Sequence, residues 1–272
     1  MRIKQIVLSG LWLILISTQS FVLADSPWKN IDEGIAVAAF AGPDVEDDHK
    51  ITVIRIKPER VEIKLLTASE MDHPNLTAQE WAEKYNLNGV INAGMFQTDY
   101  KSNVGYMKNF SHINNGYVNR SYQSVAVFNP KQEGKPKFRV VDIDEENVKT
   151  LIGDYHSVIQ NLRLIKSPAE NRWSKQAREW SEVALGQDKA GNALFIFSRK
   201  PYSMHTFNEI LIKLPIDLVN AQHLEGGPEA SLYFNHKGYL IEAAGSYETG
   251  FNEKLDNHTF WPIPNVIGIT IK

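Results

Sequence analysis

The chain has 272 residues, 43% hydrophobic, 22% charged and 10% aromatic, which excludes a collagen-like, coiled-coil or largely disordered protein. It has no cysteine, so disulfides, Cys-ligated zinc, iron–sulfur clusters and thiol catalysis are excluded as well. A net charge of −3 and a pI near 6.3 give no bulk attraction to nucleic acid or to an anionic membrane surface.

The N-terminus reads as an export signal. Arg2 and Lys4 precede an apolar stretch from Ile6 to Ile16, then a polar run, then Val22-Leu23-Ala24 with small residues where a signal peptidase reads. The stretch is shorter than the roughly 20 residues of a spanning helix. Residues 1–24 are therefore expected to be a signal peptide cleaved after Ala24, leaving 25–272 as a single domain with no integral membrane segment. An exported chain without cysteine suits a bacterial envelope, so a periplasmic or secreted location is expected.

Past the acidic loop 44–48, two β-branched alternating runs at 51–56 and 61–66 flank Pro58-Glu59-Arg60 and read as a hairpin. Thr77-Ala78-Gln79-Glu80 is a capping box opening a helix to about Tyr85. Val90-Ile91-Asn92 reads as a buried strand entering a glycine turn. Further strands are expected at 123–128, 138–141, 157–161, 182–185, 194–197, 232–234, 239–241 and 267–271. A helix over 206–214 carries Phe207, Ile210, Leu211 and Leu214 at helical spacing. Helices are too few for βαβ alternation, so the fold class is α+β with a mixed β-sheet core and a few packed helices.

Zincin, nucleophile-elbow, Walker and dinucleotide motifs are absent from the sequence. The acidic run 142–146 lacks the glycine and terminal Glu of an EF-hand loop and reads as a solvated loop and helix start. Two segments place glycine and polar residues beside apolar strands. In Asn92-Ala93-Gly94-Met95-Phe96, Asn92 could point its amide into a cleft, or simply tolerate a turn. In Leu224-Glu225-Gly226-Gly227-Pro228-Glu229-Ala230-Ser231, Gly-Gly-Pro forbids a helix, so Glu225 and Glu229 are related by loop geometry. A third segment, Arg199 to Thr206, offers Ser203 or Thr206 to cap the helix that follows, with Arg199 and His205 beside a helix start suited to phosphate. Gln160, Asn161 and Arg163 at another strand end could add polar contacts. Trp28, Trp81, Trp173, Trp180 and Trp261 could form a sugar-stacking face, although core packing is the commoner fate of tryptophan.

The order of these segments is informative. A Thr-capped helix, a strand into Asn92-Ala93-Gly94-Met95-Phe96, Gln160-Asn161-Leu162-Arg163-Leu164, Ala184-Leu185-Gly186-Gln187-Asp188 and Glu225-Gly226-Gly227-Pro228-Glu229-Ala230-Ser231-Leu232-Tyr233 together resemble the phosphodiester glycosidase family over roughly residues 50–270. Two departures stand out. The family usually has Asp where this chain has Glu225, and commonly an Arg a few residues before the glycine matching Gly186, where this chain reads Trp180-Ser181-Glu182-Val183-Ala184-Leu185.

The resemblance implies a hydrolase that removes a sugar from a glycosyl-1-phosphodiester, with a saccharide or sugar phosphate as its substrate. Glu225 would be the carboxylate facing the oxocarbenium-like centre and Glu229 the second acid. Asn92, Asn161, Gly226, Gly227 and Ser231 would bind hydroxyls or phosphate oxygens, and Arg163, Arg199 and His205 would supply positive charge. Carboxylates and amide oxygens of this kind would also suit a divalent cation such as calcium. The two departures motivate an alternative: a non-catalytic carbohydrate- or envelope-binding module on the same fold.

Overall fold

The computed structural model describes residues 26–43 and 50–271. The expected signal peptide and the acidic loop 44–48 therefore lie outside the described residues. Three antiparallel sheets face one another around a common core. The largest has eight strands in the spatial order Lys29–Asp32, Ile35–Phe40, Ile51–Ile56, Ala193–Tyr202, Trp180–Asp188, Leu218–Gly226, Arg163–Lys166 and Glu170–Asn171. A second runs His112–Asn115, Met107–Asn109, Tyr155–Asn161, Ser124–Pro130 and Phe138–Asp142. The third runs Tyr239–Ala244, Ser231–His236, Gly89–Asn92, Asn265–Ile271 and Val61–Thr67.

Period-two alternation decides which side chains meet. In the Ala193–Tyr202 strand, Ala193, Phe195 and Phe197 face the shared core, and Leu194 and Ile196 face the other way. That outer face is covered by the helix Met204–Lys213 through Phe207 and Leu211. The other two sheets are each backed in the same way. Ala78–Tyr85 packs Trp81 under the third sheet, and Val148–Asp154 packs Leu151 under the second. The α+β expectation is met, with sheet dominating and short helices sealing the outer faces.

Local signals were accurate where the chain solves its own hydrogen bonds. Thr77 and Glu80 form the reciprocal capping box (Thr77 N to Glu80 Oε2, 2.8 Å; Glu80 N to Thr77 Oγ1, 3.2 Å). Ser203 caps the helix at Met204. One expectation fails. The runs at 51–56 and 61–66 do not pair with each other: Ile51–Ile56 lies between Ile35–Phe40 and Ala193–Tyr202, whereas Val61–Thr67 pairs with Asn265–Ile271 in a different sheet. Both runs have buried residues on each face, so each needs a covering layer that a two-stranded hairpin cannot supply. The turn between them, closed by Arg60 N and Val61 N donating to Lys57 O, is a corner between sheets.

Candidate active site

The adjacent strands Trp180–Asp188 and Leu218–Gly226 carry the site at one end. As expected for a carboxylate at a strand end beside a glycine turn, Glu225 is the penultimate residue of a nine-residue strand, and Gly227–Glu229 forms a single 3-10 turn with Pro228 near its start. Pro needs no donor there, so Gly-Gly-Pro excludes an α-helix without excluding this tighter turn. The turn then feeds directly into Ser231–His236 of the third sheet, so the site lies where two sheets meet.

Gly226 and Gly227 are each required. A Cβ on Gly226 would lie 2.6 Å from the Trp180 ring, and Gly227 has φ +66° with Glu248 Oε2 2.8 Å from where its Cβ would stand. Asn92 does not open its amide into a cleft. It donates to Glu229 O (3.0 Å) and accepts from Ser231 N (2.7 Å), and Ser231 Oγ also donates to Glu229 O (3.0 Å). Asn92 and Ser231 are buried clamps on the turn that aims Glu229. Asn161 is a similar brace, reaching Leu224 O at 3.4 Å and accepting from Leu162 N at 2.9 Å.

Glu225 and Glu229 line one open pocket of about 560 Å³, where a third acid, Glu248, joins them. Phe96, Tyr100 and Phe251 form aromatic walls, and Tyr100 and Phe251 are exposed. Burial pushes the Glu225 carboxyl up to about 8, against the opposing pull of His223 and of the Gly226 N–H 3.0 Å away, with Glu229 and Glu248 adding repulsion. Burial likewise pushes Glu229 up to about 7, with Glu248 adding to it. The pocket therefore holds protons through neutrality.

Behind Glu225 lies a polar pair that the sequence did not reveal. Glu182 is fully buried, receiving Trp180 Nε1 at 2.6 Å and facing His223 Nδ1 at 2.5 Å. Burial alone would depress the His223 ring, but the Glu182 carboxylate, aided by Glu225 and Glu248, holds it above its usual range. The His223 ring, raised by Glu182, thus lies two residues from Glu225 along the strand, and burial raises Glu182 as well. The one clue in the sequence is His223 and Glu225 at strand spacing; the register sets Ala184 opposite His223 and Glu182 opposite Gly226.

The three cations expected from sequence do not line this pocket. Arg163 is spent on Asp142 (2.9 Å) and Asp144 (3.4 Å). Arg199 clasps the carbonyls of Ala244 and Leu255, each at 2.9 Å. His205 sits on the helix Met204–Lys213, its backbone carbonyl taken by Asn171. A cation does stand beside the acids: Arg178, exposed and 3.6 Å from Glu248. The tight acidic cluster among the described residues is Asp142, Asp144 and Glu145. Lys166 and Arg163 already neutralise it; Asp142 ends a strand and is buried, while Asp144 and Glu145 are exposed ahead of the helix Val148–Asp154, so the run is the solvated loop and helix start expected apart from Asp142. The tryptophans form no stacking face together: Trp81 is core, Trp28 lies under the Arg55 guanidinium at 3.9 Å, and Trp173 donates to Arg163 O.

Comparison with known proteins identifies the family and the fold. The family model for phosphodiester glycosidase matches residues 85–270. The chain belongs to the phosphodiester glycosidase family. Its fold is similar to the catalytic domain of zebrafish N-acetylglucosamine-1-phosphodiester alpha-N-acetylglucosaminidase, in a structure auto-inhibited by the pro-peptide. The TM-score is 0.62 at 14% identity, covering 89% of this chain and 85% of that one. A hypothetical protein from Synechocystis is similar with TM-score 0.59 and 14% identity, covering 91% of this chain and 64% of that one. Among curated protein sequences there is no significant match. Among the described residues no helix is long and apolar enough to cross a membrane. Within the family frame, Glu182 and His223 lie in and opposite the segment where an Arg is common, so a buried acid–imidazolium pair stands near that missing charge.

Proposed function

We propose that this phosphodiester glycosidase hydrolyses a glycosyl-1-phosphodiester of envelope saccharide outside the cytoplasm, using the pocket of Glu225, Glu229 and Glu248. The observation that carries the reading is the convergence of Glu225 and Glu229, both singled out from sequence, in one aromatic-walled pocket. A phosphodiester anion would be repelled by three carboxylates. The raised carboxyls of Glu225 and Glu229 resolve this: a protonated carboxyl donates a hydrogen bond to a phosphate oxygen instead of repelling it.

Both carboxyls are raised by burial, so one of the pair can donate to the phosphate while the other, once ionised, faces the anomeric carbon. In the reaction, the bond between the anomeric carbon and the phosphate oxygen breaks and water oxygen bonds to that carbon. The departing phosphate takes up one proton. His223, behind Glu225, pulls that carboxyl down against the larger effect of burial.

The test is hydrolysis of a panel of sugar-1-phosphodiesters, with and without calcium, by wild type and by Glu225→Gln. A loss of more than about 10²-fold in kcat, with folding intact, is expected, and equal turnover removes Glu225 from the mechanism. The second reading, a binding module on the same fold, is favoured by the absence of Arg163, Arg199 and His205 from the pocket walls. Binding of the same sugars by wild type without turnover would select it.

A further inference from the structure

The same two strands that end in the acid pocket begin, at their opposite end, in a groove of about 710 Å³ whose walls include Gln187, Lys189 and Asn220. From Asn220 to Glu225 along one strand is roughly 15–17 Å, and the two sites share no wall residue. Lys57 and Lys137 enter the groove from the sheet corner at Lys57–Arg60 and from the strand at Phe138. Its acids are largely engaged. Asp188 is held by Arg55 at 3.0 Å and by the Ala190 and Asn192 backbone, and Glu59 pairs with Lys137 at 2.6 Å. Among the described residues Lys57 and Lys189 have no ion-pair partner.

Two further features point to a ligand. Asn220 is 6% exposed and its Nδ2 donates to Val140 O, but its Oδ1 is buried without a partner in the groove wall. A buried acceptor left open calls for a donor such as a hydroxyl. Beside the groove, and sharing Pro58 and Lys137 with it, lies a shallower recess of about 360 Å³ floored by Phe110 and His156. Their rings stack with centroids 4.7 Å apart at 15°, and Phe110 N donates to His156 O at 2.9 Å. Phe110 is 53% exposed on a left-handed backbone, φ +48°. Phe110 opens the two-residue turn between Met107–Asn109 and His112–Asn115, and that left-handed turn holds its ring out in solvent.

The geometry points to a second, non-catalytic site: a groove that binds an acidic saccharide chain, stacking a sugar ring on Phe110 and meeting its anions with Lys57, Lys137 and Lys189 while Asn220 Oδ1 accepts a hydroxyl. An aromatic face beside lysines fits charged sugar better than a bare anion. The site stands whether or not the acid pocket turns over.

Calorimetric titration of the protein tests it with oligogalacturonate, a sugar-phosphate oligomer, a neutral malto-oligosaccharide of equal length and inorganic polyphosphate. At least one acidic saccharide is expected to bind at least about tenfold more tightly than the neutral one. Lys57→Gln/Lys137→Gln/Lys189→Gln should weaken it about tenfold or more. Phe110→Asn, which tolerates the left-handed backbone, should weaken it several-fold, and Glu225→Gln should leave it unchanged. Melting midpoints within a few degrees of wild type certify the folds. Binding by neither acidic saccharide, binding unaffected by the lysine variant, or binding lost in Glu225→Gln overturns the proposal. Polyphosphate bound as tightly as the saccharides, with Phe110→Asn silent, overturns the saccharide assignment.

Discussion

The two ends of the paired strands Trp180–Asp188 and Leu218–Gly226 manage charge in opposite ways. At the Glu225 end three carboxyls share a pocket, and they coexist because burial keeps protons on Glu225 and Glu229 and because His223 lies behind them. At the Asn220 end, the buried acid Asp188 stays close to Arg55 and to backbone donors, and the lysines around it remain exposed to solvent. One antiparallel ladder thus separates a proton-holding site from a cationic groove by about five residues, roughly 17 Å. A net charge of −3 conceals both. Opposite fields need only opposite loops on a shared rigid ladder.

The sharpest way to break the contrast is to remove the buried support of the acid end. Glu182→Leu leaves the His223 charge buried without its partner, and should cost about 3–5 kcal/mol in chemical denaturation. Glu182→Leu/His223→Leu should recover most of that loss; if the double variant is no better, the pair is not the source.

The pH dependence separates the two ends next. Glu225 and Glu229 have folded pKa values of about 8 and about 7, above their ordinary value of 4.5. Between these limits the folded state keeps protons that the unfolded chain releases, so stability falls as pH rises from about 4.5 to 8. His223, also raised, adds to the same direction: its contribution is lost as pH rises through its folded pKa. The lowered acids Asp99 and Asp144 lose their contribution only at more acid pH. Hydrolysis should likewise decline, approaching tenfold per unit above about pH 8, as the pocket becomes fully anionic. A rate flat from pH 6 to 9 would remove the protonated-carboxyl role, and Glu225→Gln should flatten part of the stability slope.

Gly227→Ala places a Cβ against Glu248 on a left-handed backbone and should cost about 1–3 kcal/mol, with reduced turnover. An unchanged melting midpoint would show that the turn relaxes freely. The smallest effect is expected away from both ends. Thr77→Ala removes the helix cap and should cost about 1 kcal/mol while sparing turnover, which assays of stability and hydrolysis can compare.

The local elements were legible because short-range chemistry fixes them. The capping box at Thr77, the Ser203 cap, the buried strand at Val90 and the alternation in Ala193–Tyr202 each follow from residues within one turn or one pleat. That Glu225 and Glu229 flank a tight glycine turn at a strand end was legible for the same reason. The hairpin expected from 51–66 was not realised, because pairing partners are chosen by burial on both faces and not by proximity in sequence. Glu248, Tyr100 and Phe251 were not legible either: they enter the pocket from loops far along the chain.

The sequence by itself determined the capped helices Ala78–Tyr85 and Met204–Lys213, most strands, the absence of thiol chemistry and the pair of glutamates around Gly226-Gly227. Tertiary structure alone decided what those polar residues do. It turned Asn92, Asn161, Ser231, Arg163 and Arg199 from expected ligand contacts into braces of the scaffold. It also brought Glu182 against His223 across two strands. The physical reason is that a buried polar group must find a partner wherever the fold leaves one, and that partner can be distant in sequence.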